Sequence, residues 1–284
     1  MGKANRVKLE LRDAIEMVDL LQTLKDIADN KYFTLVNRKD LFKRFSETFV
    51  KFFRMISMTK EIHPLIKNDN PNVGILVITA EGSFLGEFNN KILRLAFAER
   101  EKHKDSMFIA VGERCVERLA QYTPDLKVFS DIERKGLYET AIEIKDYLAG
   151  LVMDDVIGKV MVCYSWSKEF ETQKPKVVQL LPCVDLVAGQ NQISDIVDSV
   201  IEESDPKEVI GFLSNLWITT RLYEILIDTI IAASAAQSHF LDDSVEKMKK
   251  EKRKTQIKFR KAKKNDIDKS LRETFSARMM TMQT

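Results

Sequence analysis

Apolar residues in the last quarter of the chain recur at Val209, Leu213, Leu216, Tyr223, Ile227, Ile230, Leu241, Val245 and Met248. The intervals are built from threes and fours, which is the seam of a heptad repeat on one helix face. Nothing punctuates it. After Gly211 no Gly or Pro remains, and Asp205-Pro206 offers an N-cap residue followed by a proline suited to a first helical turn. The pattern predicts one helix over 205–284, roughly 110 Å long. A small globule cannot bury such a helix, so it needs a partner, and the start of the chain provides one. Val7, Leu11, Ala14, Val18 and Leu21 step by four and three. Beyond an irregular patch expected at Asp29-Asn30-Lys31, the rhythm resumes through Phe42, Phe45, Phe49, Phe52 and Ile56. This reads as a second amphipathic helix of roughly 85 Å, closed by His63-Pro64 because a residue before proline avoids the α region. The phenylalanine ladder fits packing against a neighbouring helix better than a cofactor box.

Between the two helices the periodicity changes. Val73–Thr79, Met107–Val111, Val160–Tyr164 and Val177–Leu181 are short β-branched or apolar runs, with a weaker strand candidate at Val128-Phe129. Helical periods fall at Glu87–Lys104, Arg114–Tyr122 and Tyr138–Asp155. Strand and helix alternate, which predicts a doubly wound, Rossmann-like α/β sheet with helices on both faces. The fold class expected is therefore α/β plus a long antiparallel coiled coil, the N- and C-terminal helices paired and the α/β domain inserted between them. The boundaries expected are a coiled-coil helix over 1–62, the α/β domain over 63–190, a connector over 191–204, and a C-terminal helix over 205–284. With its base at residues 60 and 206, the C-terminal helix outruns its partner by about 28 Å, so its tip from about Asn265 projects alone.

Candidate chemistry is sparse. In sheets of this class nucleotides often bind at the first strand-to-helix turn, here Glu81-Gly82-Ser83-Phe84-Leu85-Gly86. That turn is neither GxGxxG nor GxxxxGKS and offers no lysine to a phosphate, so it reads as structural. His63, His103 and His239 fall in different segments, with no triad or metal spacing. Asp154-Asp155 and Glu202-Glu203 are adjacent acids, which do not share a helix face and read as solvated. Cys115, Cys163 and Cys183 are odd in number and far apart, so buried free thiols are expected rather than zinc ligands or a disulfide framework. Met1–Arg12 has no signal-peptide core, and the apolar run Ile225–Ala236 contains Asp228 and is too short to span a bilayer. A soluble protein or soluble subunit is expected, with no cofactor, no metal and no direct lipid insertion. Net charge is only +2, but Lys247–Lys264 holds eleven Lys or Arg against Glu251 alone. The alternative function this run suggests is a coiled-coil nucleic-acid-binding protein using residues 247–264. Few aromatics interleave it and it carries no recognised motif, so a helix running through solvent or an acidic bearing is preferred.

The order long helix, α/β insert, longer helix resembles the gamma subunit of F-type ATP synthases. Ile78-Thr79-Ala80-Glu81-Gly82-Ser83-Phe84-Leu85-Gly86-Glu87-Phe88-Asn89 is similar to that family's first strand and turn. Thr172-Gln173-Lys174-Pro175 and Gln179-Leu180-Leu181-Pro182 resemble the last strand of its insert. Glu203-Ser204-Asp205-Pro206, Leu222-Tyr223 and Ala233-Ser234 resemble its entry into the final helix, and Phe259-Arg260-Lys261-Ala262 a motif further along it. Leu24-Lys25-Asp26-Ile27-Ala28 and Lys31 match its first helix. Gly82-Ser83, Leu85 and His239-Phe240 depart from the family's usual Arg-Gly, Cys and Arg-Met, marking a divergent member.

The resemblance implies a rotor shaft without a catalytic site of its own, in a proton- or sodium-translocating ATP synthase or ATPase. The implied partners are the alpha and beta subunits of the catalytic hexamer, the epsilon subunit and the membrane c ring, with no nucleic acid. The implied location is peripheral, on the cytoplasmic face of the cell membrane. Lys25, Lys31, His239 and Phe240 are expected to face the catalytic ring. Ile267, Leu271, Phe275 and Met279, on one stripe of the tip, are expected in an apolar sleeve.

Overall fold

In a computed structural model the chain is described over residues 3–56, 63–103, 105–183, 186 and 206–281. The elements are α1 (Lys3–Ile56), β1 (Val73–Ile78), α2 (Phe88–Lys102), β2 (Ser106–Val111), a 3₁₀ turn leading into α3 (Val116–Leu119), β3 (Lys127–Phe129), α4 (Ile132–Lys135), α5 (Leu137–Met153), β4 (Lys159–Glu169), β5 (Thr172–Leu181) and α6 (Pro206–Thr281). The expected terminal helices and α/β insert are present. The Asp205 cap, the connector over 191–204 and the side chains of Phe42, Phe45, Phe52 and Ile56 lie outside the described residues.

The chain divides into two compact units, Met1–Ala28 with Ser238–Thr284, and Asp29–Gln237. In the larger unit the five strands are ordered β3-β2-β1-β4-β5. The pairs β1–β2, β2–β3 and β1–β4 are parallel, and β4–β5 is antiparallel. All six residues of β1 are buried, as a central strand covered on both faces must be. Val73, Ile75 and Val77 pack with Phe88, Ile92 and Ala96 of α2. Leu76 and Ile78 pack in a second core with Ile144 and Leu148 of α5 and with Leu213, Ile218, Leu222 and Leu226 of α6. Phe49 of α1 enters that same core and stacks on Trp217 with centroids 5.8 Å apart. The sheet is thus fastened to the parts of both terminal helices that lie in this unit.

The first strand-to-helix turn is held by its own side chains. Asn89 accepts from the Ala80 N–H at 3.0 Å and donates back to the Ala80 carbonyl at 2.9 Å. The Thr79 hydroxyl donates to the Val111 carbonyl at 3.0 Å, and Gln237 donates to the Ser83 carbonyl at 3.1 Å. Phe84 takes a positive φ of 60° and is 42% exposed. The three cysteines are buried free thiols, and burial pushes Cys163 up to about 12.

β4 and β5 are longer than the hydrophobic runs predict. β1 covers β4 only over Lys159–Cys163, whereas β5 pairs with it as far as Glu169. Tyr164–Glu169 and Thr172–Lys176 therefore form a two-stranded arm beyond the sheet. At its tip Phe170 meets Tyr32 edge-on at 4.8 Å and stacks on Phe33 at 5.9 Å.

Candidate functional site: the paired helices

Among the described residues no cluster of three or more His, Cys, Asp or Glu is placed to hold a metal ion. His63 is buried and holds its proton less readily than usual, because burial and then the Lys207 charge disfavour the cation. His103 lies 3.4 Å from the buried Glu99 carboxylate, which Lys102 also meets at 2.7 Å. The candidate site is instead the surface of the terminal helices.

In the smaller unit α1 and α6 pair through interlocking seams. On α1, Ala14, Val18, Leu21 and Ala28 are buried, with Val7, Leu11 and Lys25 half-buried at the same helical phase. On α6 the buried positions are Ser238, Leu241, Val245, Thr255 and Ala262, with Met248, Lys252 and Phe259 half-buried among them. Leu21 and Leu24 pack against Leu241, Val245 and Met248. The seam therefore runs on through the basic segment, where small and amphipathic residues replace the expected large ones. Lys252 is half-buried at a seam position, while the other ten cations of Lys247–Lys264 are exposed.

Lys25, one of the residues expected to face the catalytic ring, occupies a seam position and binds Asp242 of α6 at 2.8 Å, its side chain 25% exposed. That hydrogen bond, partly offset by burial and helped by the charges of Lys25, Lys249 and His239, holds the Asp242 carboxyl below its usual value. A group held low stabilises the fold above its ordinary pKa, and the contribution fades as pH falls through the lowered one. With Asp242 56% exposed, the expected loss is at most about 1 kcal/mol. Melting this protein and Asp242→Asn at pH 7 and pH 3 should show a smaller drop in the variant.

In the larger unit the helices also run antiparallel. Tyr32 packs with Ile227, Ile231 and Ala235, and Lys39 binds Asp228 at 2.5 Å, that aspartate being only 14% exposed. Lys31 is half-buried in this unit. His239 is half-buried in the smaller unit, and Phe240 there is 41% exposed.

From Lys263 to Arg278 every residue of α6 is exposed except half-buried Asp268. Ile267, Leu271 and Phe275 are 51%, 53% and 66% exposed, three large apolar side chains within three turns. The Met279 side chain lies outside the described residues. Sequence reasoning missed a second uncovered stripe. Leu9, Leu20 and Ile27 are exposed on the α1 face opposite the seam, with Met17 beside them. Their recurrence at one helical phase was the available signal. Among the described residues no helix is long and apolar enough to cross a membrane.

A family model described as ATP synthase matches residues 5–278. A protein named ATP synthase gamma chain from Lachnoclostridium phytofermentans is 22% identical over 245 residues, covering 84% of this chain and 83% of its own. One of the same name from Nitratiruptor is 27% identical over 216 residues, covering 72% and 70%. Among solved structures, a chain of the Euglena gracilis mitochondrial ATP synthase, in a structure of its OSCP, F1 and c-ring, superposes with a TM-score of 0.64 at 12% identity, over 98% of this chain and 94% of that one. A chain of the Tetrahymena thermophila mitochondrial ATP synthase central stalk and c-ring gives 0.59 at 15% identity, over 79% and 99%.

Proposed function

The chain belongs to the gamma-subunit family of ATP synthases, and from that premise we infer that it works as the rotor shaft of such an enzyme. It is a non-catalytic subunit of a membrane-associated complex. Its task is mechanical: ion flow through the membrane sector turns the shaft, and the shaft forces nucleotide sites on other subunits through their cycle. The observation that carries this reading is α6 itself, helical from Pro206 to Thr281, paired with α1 along part of its length and leaving apolar side chains uncovered at its end.

Each feature then has a role. The paired seams resist twist, because turning one helix about the other must pull interlocked side chains apart. Ile267, Leu271 and Phe275, with Met279, enter an apolar sleeve at the centre of the alpha–beta hexamer. The stripe Leu9, Leu20 and Ile27, together with Lys31, His239 and Phe240, meets the surrounding ring, while Lys25 reaches it only at the margin of the seam. The outward cations of Lys247–Lys264 run against an acidic lining of that ring. The lobe, over roughly 63–190, seats on the c ring beside epsilon, at the cytoplasmic face of the membrane. The ion moved is a proton or sodium.

Leu271→Pro with Phe275→Pro tests the tip. Each proline removes a helical hydrogen bond and costs about 3 kcal/mol of local helix. Leu271 and Phe275 are exposed, so the isolated chain is expected to melt at an unchanged temperature. The assembled complex is expected to lose ATP-driven ion pumping. Intact assembly and pumping would remove the tip from the mechanism. Co-purification of the wild-type chain with an alpha–beta hexamer is the broader check.

A further inference from the structure

We propose that the β4–β5 arm is a brace that joins the α/β lobe to α1, with Phe170 as its positioning residue, so that torque entering the lobe reaches both shaft helices. This rests on the rotor reading. The lobe already grips α6 through two cores. Among the described residues, the lobe meets α1 at Phe49 and where the arm, with Leu137 beside it, arrives at Tyr32 and Phe33.

The arm is built to reach that point. A two-stranded ribbon is marginal alone in water and must rest on something. Trp166 packs on the lobe's core with the Lys176 ammonium 5.7 Å from its ring centre. Buried Tyr164 lies near Arg221, Glu224 and Asp228 of α6 and is pushed up to about 12, chiefly by burial. At the turn, Gln173 donates to the Phe170 carbonyl at 2.5 Å, and the Ser167 hydroxyl donates to the Glu169 carbonyl at 2.6 Å. The turn is thereby fixed and its one large apolar side chain is aimed at α1. Tyr32 and Phe33 complete a three-ring cluster, themselves edge-on at 5.2 Å, and Tyr32 continues into Leu35, Val36, Ile227 and Ile231. A ring wedged between two others resists displacement in several directions, which suits a strut better than a flexible aliphatic contact would.

Hydrogen exchange on the full chain tests the contact. Phe170→Ala is expected to speed exchange of the Tyr32–Val36 amides about tenfold while leaving Val73–Ile78 of β1 unchanged. Phe170→Tyr, which keeps the ring, is expected to behave as wild type. Unchanged exchange at Tyr32–Val36, or acceleration that extends to β1, overturns the brace. In the assembled enzyme Phe170→Ala is expected to hydrolyse ATP but move fewer ions per ATP, and Phe170→Tyr to restore the ratio. A wild-type chain that pumps alongside a Phe170→Ala chain that pumps equally well overturns the brace alone. A wild-type chain that joins no hexamer overturns the rotor reading and the torque role with it.

Discussion

Ala235→Pro is expected to destabilise the larger unit by about 3 kcal/mol or more and to uncouple the assembled enzyme. Ala235 is fully buried in α6, packed with Tyr32, Ile227 and Ile231. Proline there removes a backbone donor and drives its ring into the carbonyl one turn back, at Ile231. The added ring atoms also have no room. For a unit of about 200 residues each kcal/mol shifts the melting point by roughly 2–4 °C, so a drop near 10 °C is expected. A kink in the shaft turns part of an applied twist into bending. ATP hydrolysis should persist while ions moved per ATP fall sharply. Ala235→Gly is the control: it costs about 1 kcal/mol but imposes no kink, and coupling should survive. Full coupling in the proline variant would show that shaft continuity does not matter.

Gly158→Ala is expected to cost about 3 kcal/mol, although it adds one methyl group. A Cβ at that position would stand 2.1 Å from the Asn70 carbonyl oxygen and 2.8 Å from its carbon. These are backbone atoms of a loop that cannot swing away. Asn70 donates to the Asp155 carbonyl at 2.6 Å, Asn72 donates to the Val156 carbonyl at 3.1 Å, and Gly158 donates to the Asn72 carbonyl at 3.0 Å. Relief therefore requires breaking the tie between that loop and the entry to β4. Gly150→Ala in α5 provides the contrast. Its new methyl meets nothing within 4 Å, so a gain of about 0.5–1 kcal/mol is expected. Thermal melts of the two variants should move in opposite directions.

The terminal helices were legible because their grammar is local: few Gly and Pro, and apolar residues at intervals of three and four. The irregular patch expected at Asp29-Asn30-Lys31 is absent. Ala28 and Tyr32, one turn apart and both buried, carry the helix across it. Within the basic run heptad phase still places Lys252 and Thr255 at core-type positions, and Thr255 and Ala262 are buried there by position rather than by hydrophobicity. The arm was missed. The hydrophobic runs end at Tyr164 and begin again at Val177, and the mostly polar Ser165–Glu169 and Thr172–Lys176 lie outside them, yet each strand supplies the other's hydrogen bonds. Of the candidate contact residues, sequence phase found the exposed tip stripe. It could not foresee that Lys25 turns toward Asp242, because the identity of the opposing helix residue is not encoded locally.

The two lysine–aspartate pairs carry a consequence for alignment. Lys25 and Lys39 are two heptads apart on α1, and Asp228 and Asp242 are two heptads apart on α6. A heptad repeat by itself tolerates sliding by seven residues, since apolar positions meet apolar positions again. Here such a slide is penalised whichever way it goes. In the smaller unit, one heptad of displacement in one sense sets Lys25 against Lys249. In the larger unit, one heptad in the other sense sets Lys39 against Arg221 and leaves Asp228 without its cation. Greasy seams alone would hold these helices together at any of several offsets; the charges select one, as a key selects a single notch.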